Sequence, residues 1–140
     1  RNGNGEEPTM PKKQRIKHPD VMEPPAGTWS NCLVVGETIY VAGLTARDGT
    51  KVLGADEYEQ AKAIFTKMSN LIAAAGGHMS DVVKVNIFVT NIARREEVWK
   101  ARREVFEGDF PVSTLVEVSA LAMPELLVEI EAVAIKGAGG

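Results

Sequence analysis

The chain has 140 residues, of which 44% are hydrophobic and 25% are charged, a composition typical of one globular domain with a buried core. Its formal net charge is −3, and Lys and Arg are spread along the chain, so we expect no nucleic-acid partner. No apolar run approaches the ~20 residues that a bilayer-spanning helix needs, so we expect no membrane partner.

Cys32 is the only cysteine, so no disulfide can form within the chain. This cysteine usage fits a reducing compartment, and no apolar stretch near the start resembles a signal peptide. We therefore expect a cytoplasmic protein. His18 and His78 lack nearby carboxylates at a metal-ligand spacing, so no metal site is predicted.

Residues 1–26 are predicted to form a flexible, extended arm, because they hold most of the seven prolines and show little periodic apolarity. Residues 1–9 are polar and glycine-rich and precede Met10, which resembles a natural start, so we interpret them as an artificial leader. The ordered domain is predicted to cover residues 27–136. The glycine-rich residues 137–140 are predicted to be a flexible tail.

The first predicted elements are a β-hairpin and a long helix. Apolar runs at 33–35 and 39–42 flank Gly36-Glu37, a pair suited to a tight turn. After a turn-rich segment, apolar residues recur at three and four positions between Asp56 and Ala75, the spacing of a helix with one buried face. Asp56 is a suitable N-cap for this helix, and the glycines after Ala75 are suited to end it.

The second half of the chain predicts a strand, a charged helix and two more strands. Residues 83–90 alternate between apolar and mostly polar side chains, which indicates a strand. A helix is predicted from 93 to 107, and strands from 114 to 119 and from 127 to 136. The order β, β, α, β, α, β, β implies an α+β fold, in which two helices cover one face of a mixed sheet. Because both faces of the last strands carry apolar residues, we expect the second face to pack against copies of the chain.

Two segments near the end, 110–118 (FPVSTLVEV) and 128–134 (VEIEAVA), resemble the C-terminal strands of the Rid family of small enamine and imine deaminases, also called YjgF-like. Further segments that resemble this family, in the same order and spacing, are residues 35–43, 71–77 and 81–89. The resemblance covers about residues 27–135. It implies a chorismate-mutase-like fold, a homotrimer with inward-facing sheets, and clefts at the subunit boundaries.

The resemblance also implies a chemistry. Typical members hydrolyse reactive enamines and imines, such as 2-aminoacrylate, to a keto acid and ammonia, and they require no cofactor. The reaction needs a clamp for the substrate carboxylate, a proton source, and a polar group that holds the attacking water. Glu129 matches the family carboxylate that orients water, whereas Ser113 stands where the family carries its substrate-binding arginine.

Other matched positions also differ from the family. Trp29 replaces a tyrosine, Trp99 an asparagine and Leu44 a glutamine. The pocket is therefore expected to be more apolar and aromatic than that of the aminoacrylate deaminases, and poorly suited to 2-aminoacrylate. The candidate catalytic residues are Glu129 and Ser113, and the candidate substrate-binding residues are Trp29, Leu44, Trp99, Arg47, Arg102 and Leu115.

Each candidate residue also has an ordinary structural interpretation. Glu129 can be a carboxylate on an exposed strand face, and Ser113 can be a strand-start serine, since no histidine is placed to activate it. The two tryptophans can be buried packing residues. Arg47, Arg102 and Arg103 can replace the missing arginine, or each can be a solvated surface charge.

Two functions remain open at this point. The first is hydrolytic deamination of an enamine or imine other than 2-aminoacrylate. The second is a non-catalytic trimer that binds a small metabolite or a macromolecule in the same clefts. A nuclease activity, as suggested for some relatives, requires a basic surface that the sequence does not show.

Overall fold

The computed structural model describes residues 10–140, which form one mixed β-sheet with two α-helices and a short separate hairpin. The strands are β1 (Gln14–Arg15), β2 (Cys32–Val35), β3 (Thr38–Leu44), β4 (Arg47–Asp48), β5 (Lys51–Val52), β6 (Val82–Val89), β7 (Val112–Glu117) and β8 (Val128–Ile135). The helices are α1 (Glu57–Ala74) and α2 (Arg95–Val105). The main sheet has the order β1-β2-β3-β8-β6-β7, in which only β6 and β7 run parallel, and β4 pairs with β5.

Helix α1 forms where the sequence predicts it, because the signals at its two ends agree with its apolar face. The Asp56 carboxylate accepts a hydrogen bond from the Glu59 amide (2.8 Å), which satisfies one of the unpaired amides at the helix start. Gly76 follows the helix with a φ of 91°, a left-handed conformation that glycine adopts readily. In the described part of the chain, no helix is both long and apolar enough to span a membrane.

The sheet has one face that packs against the helices and one open face. Alternate residues from Val128 to Ala134 are buried, whereas Glu129, Glu131 and Val133 point to the open face. The buried face, α1 and α2 share a single hydrophobic core. The predicted α+β architecture, a mixed sheet with two helices, is confirmed.

The open face is more polar than the sequence predicts. At its centre, Asn86 Nδ2 donates a hydrogen bond to Glu131 Oε1 (2.9 Å). Apolar side chains surround this pair, and among them Tyr40 and Val116 are 49% and 42% exposed. The open face is mixed because β6 and β8 contribute the polar Asn86 and Glu131 to it, whereas β3 and β7 contribute Tyr40 and Val116. Association of copies through this face stays a prediction.

Residues 10–26 differ from the predicted flexible arm, because they pack against the domain. Strand β1 pairs with β2, and Val21 is only 4% exposed. In the tail, the Gly139 amide donates a hydrogen bond to Asp81 Oδ1 (2.9 Å), and the flexibility of this segment stays a prediction. These segments are held by pairing at a sheet edge and by individual contacts. Neither kind of contact produces a periodic apolar pattern in the sequence. The interpretation of residues 1–9 lies outside the described residues.

Gln60 is a buried polar residue that joins α1 to the loop before β8. Its Nε2 donates to the carbonyls of Gly54 (3.3 Å) and Glu125 (2.9 Å), and its Oε1 accepts from the Leu127 amide (2.9 Å). Gln60→Leu keeps the volume but removes all these bonds, so we expect the free energy of unfolding to fall by ~2–4 kcal/mol. Urea denaturation followed by circular dichroism measures the change. The exposed control Thr66→Leu should stay within ~0.5 kcal/mol of the wild type, and an equally small change for Gln60→Leu would contradict the prediction.

Candidate functional site

A cleft of about 580 Å³ lies between the N-terminal segment and the β3–β4 region. Trp29, Leu44 and Arg47, which the sequence groups as candidate substrate-binding residues, all line this cleft. Its volume lies within the roughly 300–1,000 Å³ range of small-molecule sites. Other lining residues are Met22, Pro24 and Pro25, which are apolar, and Lys67, which is cationic.

Trp29 forms an exposed wall of this cleft. The residue is 55% exposed, and its Nε1 donates a hydrogen bond to Asn31 Oδ1 (3.3 Å). Asn31 in turn donates to the Met22 carbonyl (3.0 Å), and Arg15 donates to the Trp29 carbonyl (3.3 Å). Because its N–H is occupied and more than half of the residue is exposed, the ring can stack against a planar ligand. This exposure argues against the alternative that Trp29 is a core residue.

Arg47 and Lys67 place positive charge beside the cleft. Arg47 Nε donates to the Gly49 carbonyl (2.9 Å), and Lys67 Nζ donates to the carbonyls of Thr45 (2.8 Å) and Arg47 (2.6 Å). Burial lowers the pKa of Lys67, while Asp48 acts in the opposite direction. Lys67 was not among the sequence-predicted residues, because a lysine on α1 is indistinguishable from the solvated face of the helix. Its position beside the cleft becomes visible only once the β3–β4 segment is known to lie over α1.

Glu129 lies on the open face of β8, next to the cleft. Its carboxylate rests on Gly43, a cleft residue, and a Cβ at Gly43 would overlap Glu129 Oε2. Burial raises the pKa of Glu129, and the neighbouring Glu131 carboxylate raises it further. Within residues 10–140 no side chain forms a hydrogen bond or an ion pair with this carboxylate. Its oxygens are therefore available to a water molecule or a ligand.

A second group of predicted residues lies where α2 meets the edge strand β7. Arg102 Nη1 donates a hydrogen bond to Ser113 Oγ (3.0 Å). The guanidinium carbon of Arg102 lies 5.9 Å from the centroid of the Trp99 ring, within the range of a cation–π contact. Leu115, two residues after Ser113, packs against the core. The structure therefore places Trp99, Arg102, Ser113 and Leu115 at one edge of the sheet.

Glu129 and Ser113 lie on opposite sides of the sheet within one chain. Ser113 pairs with Val85, which is 0% exposed on the helix side, whereas Glu129 pairs with Phe88 on the open face. Directly paired residues of neighbouring strands point to the same side of a sheet. Glu129 and Ser113, the two candidate catalytic residues, therefore do not meet within one chain. A site that uses both residues needs a second copy of the chain.

Cys32 is buried in the core, and burial raises the pKa of its thiol to about 11. A neutral thiol is a weak nucleophile, so Cys32 acts as a small apolar core residue. Among residues 10–140, no three His, Cys, Asp or Glu side chains cluster in a way that could hold a metal ion.

Comparisons with known proteins give consistent results. The family described as Endoribonuclease L-PSP matches residues 21–136. A 2-iminobutanoate/2-iminopropanoate deaminase from Dermatophagoides farinae is 35% identical over 127 residues, which cover 87% of this chain and 96% of that protein. The human protein of the same name is 30% identical, and the match covers 79% of this chain and 82% of that protein. The crystal structure of a protein of unknown function from Pseudomonas aeruginosa is 40% identical with a TM-score of 0.82, covering 91% of this chain and 95% of the other.

Proposed function

Because this chain belongs to the endoribonuclease L-PSP family, also called the YjgF or Rid family, we propose that it is a cofactor-independent hydrolytic deaminase of a reactive imine or enamine. The products are ammonia and a keto compound. Relatives that are named as imine deaminases support this class of reaction. Within the chain, the supporting observation is Glu129, a carboxylate with a raised pKa and unengaged oxygens beside a cleft of small-molecule size.

Glu129 orients the attacking water in this proposal. The water oxygen adds to the imine carbon while the carboxylate accepts one of its protons. That proton passes to the imine nitrogen, which gives a carbinolamine. The hydroxyl proton of the carbinolamine then passes to the nitrogen by way of the same carboxylate, the C–N bond breaks, and ammonia leaves the keto compound. The reaction is a hydrolysis, so no oxidant or reductant is involved. A raised pKa suits both proton transfers, because an acid–base group works best when its pKa approaches the working pH.

The cleft favours a substrate that is larger and more apolar than 2-aminoacrylate. Trp29 and Leu44 line it at the positions where the family resemblance predicts a tyrosine and a glutamine. The exposed indole ring of Trp29 offers contact area for an apolar group, whereas the Leu44 side chain is 5% exposed and belongs to the core. Neither residue supplies the hydroxyl or the amide that the family resemblance predicts there. An unsaturated amino acid derivative from aromatic catabolism belongs to this class of substrate.

A complete site requires several copies of the chain, and a homotrimer is the assembly that the family resemblance implies. Glu129 and Ser113 point to opposite sides of one sheet, so a second copy must supply one of them. Strand β7 lies at the edge of the described sheet, and its Val112 is 66% exposed. In a head-to-tail ring, the β7 edge of one copy meets the open face of the next, and every junction is identical.

Binding without catalysis is the second candidate function. The observation that favours it is Ser113, because a serine cannot replace the charge of the arginine expected there. In this alternative, the same trimer binds a small metabolite or regulatory ligand in its clefts. A nucleic-acid substrate, which the family description suggests, receives little support from a chain of net charge −3, in which the densest basic run is confined to residues 12–17.

Ammonia release from freshly generated imines tests the proposal. An amino-acid oxidase supplies imines with small, aliphatic and aromatic side chains in the same assay. We expect the protein to accelerate ammonia release, with kcat/KM at least ~10-fold higher for large apolar side chains than for 2-iminopropanoate. A preference for 2-iminopropanoate would support the deaminase function but contradict the expected large size of the substrate. Quenching of tryptophan fluorescence by a panel member without turnover would instead favour the binding function.

A further inference from the structure

Arg102 is a partly buried cation without a carboxylate partner. No carboxylate of residues 10–140 lies within ion-pairing distance of its guanidinium. Burial lowers the pKa of Arg102, and the adjacent Arg103 lowers it further. The Nε atom is shielded from solvent and has no hydrogen-bond partner among the described residues. A partly desolvated guanidinium without a counter-ion is unfavourable, so a bound anion would stabilise this arrangement.

Ser113 and Trp99 determine which kind of anion fits beside Arg102. Ser113 is exposed, and its Oγ accepts a hydrogen bond from Arg102 Nη1 (3.0 Å), so its hydroxyl hydrogen remains available for donation. A carboxylate has two acceptor oxygens, one for the guanidinium and one for this hydroxyl. The half-buried Trp99 ring next to the guanidinium offers an apolar contact for the rest of the ligand.

The other candidate arginines are less suited to this role. Arg47 Nε already donates to the Gly49 carbonyl (2.9 Å), which fixes the β4–β5 hairpin. Arg103 is exposed on α2, and a solvated guanidinium binds a carboxylate weakly because water competes for both partners. Arg102 alone combines partial burial, an unpaired Nε and a neighbouring hydroxyl.

We propose that Arg102 and Ser113 together bind the carboxylate of a 2-imino acid. Strand β7 has no positive charge at Ser113. Arg102, which lies on α2 one helical turn after Trp99, supplies that charge instead. Because Glu129 lies on the opposite face of the same sheet, a substrate held in this way is presented to Glu129 of a neighbouring copy. The inference rests on the proposed deaminase function and names the group that recognises its substrate.

Binding of phenylpyruvate, the stable keto counterpart of a 2-imino acid with a large apolar side chain, tests the carboxylate site separately from catalysis. Isothermal titration calorimetry compares the wild type with Arg102→Met and with the matched control Arg103→Met. The methyl ester of the same acid serves as the uncharged ligand. We expect the wild type and Arg103→Met to prefer the acid over the ester by about 10- to 100-fold, and Arg102→Met to lose this preference.

A charge exchange keeps the inference testable if Arg102→Met folds poorly. The double variant Arg102→Ser with Ser113→Arg moves the cation to β7, and we expect it to regain the preference for the acid. Thermal unfolding shows whether each variant is folded.

The outcomes distinguish this inference from the proposed function. Lack of phenylpyruvate binding to the wild type, or equal loss of preference in both single arginine variants, would overturn the inference. Unchanged imine turnover by Arg102→Met would also overturn it, while leaving the deaminase function intact. Arg102-dependent binding of the acid without any imine turnover would support the inference and remove the deaminase function.

Discussion

Ammonia release by the Glu129→Gln variant is expected to fall about 10²- to 10⁴-fold below that of the wild type, the usual contribution of a positioned acid–base group. Glutamine keeps the size of the side chain, but its amide cannot accept a proton from water. Glu129 rests on Gly43 and has no partner among residues 10–140 whose loss would weaken the fold. The measurement is kcat/KM on the preferred imine, together with the thermal unfolding temperature, which should change little.

Glu131→Gln is the matched control for this experiment. Glu131 shares the open face of β8 and accepts a hydrogen bond from Asn86 (2.9 Å), which a glutamine oxygen can also accept. We expect this variant to retain most of the wild-type activity at neutral pH. Wild-type activity in Glu129→Gln would show that this carboxylate does not orient the water.

The pH dependence of kcat/KM, compared between the wild type and Glu131→Gln, provides a further check. Burial and then Glu131 raise the pKa of Glu129. The ionised form that accepts a proton from water is therefore lost on acidification at a pH above the ordinary range of glutamic acid. The acidic limb of kcat/KM should follow this raised pKa. Because Glu131→Gln removes a negative charge beside Glu129, this variant should shift the acidic limb of kcat/KM to lower pH. If the limb does not move, a group other than Glu129 controls it.

Mixed oligomers of Glu129→Gln and Arg102→Met subunits are expected to recover activity that each variant lacks alone. The two residues lie on opposite sides of the sheet within one chain, so a head-to-tail junction combines Glu129 of one copy with Arg102 of the next. Each variant alone should retain about 1% or less of the wild-type activity. In each trimer that holds both variants, one of the three junctions combines the two wild-type residues, so the expected recovery is about one third of the wild-type activity.

Two different affinity tags allow the mixed oligomers to be isolated and their composition verified. Light scattering gives the number of copies, which we expect to be three. Preparations in which each variant is refolded with itself are the control and should stay inactive. Verified mixed oligomers without any recovery would contradict a site shared between copies.

Local signals in the sequence were sufficient where a few neighbouring residues decide the structure. The Asp56 cap, the apolar spacing of α1 and the turn at Gly36, which has a φ of 60°, are all confirmed. The packing of residues 10–26 was not predicted. It depends on pairing with β2 and on the burial of Val21, and both contacts join segments that are distant in the sequence.

The candidate site was only partly predictable for the same reason. The contact between Arg102 and Ser113 depends on how α2 packs beside β7, which no local pattern encodes. The opposite orientation of Ser113 and Glu129 depends on the register of β7, β6 and β8 together. Alternation within one strand shows which of its residues share a side of the sheet. It does not show which residues of a neighbouring strand lie on that same side.

Strand β8 lies between β3 and β6 in the sheet, although it follows every other strand in the sequence. As the chain leaves the ribosome, the strands β1 to β3 and the pair β6 and β7 emerge as separate groups, each with an unpaired edge. Only the last strand to be synthesised joins them, and it brings Glu129 with it. A nascent chain therefore gains its complete sheet and its candidate acid–base residue in one late step. Translation that stops before residue 128 would leave an inactive fragment with two exposed strand edges, which is a substrate for chaperones and proteases rather than a partly active protein.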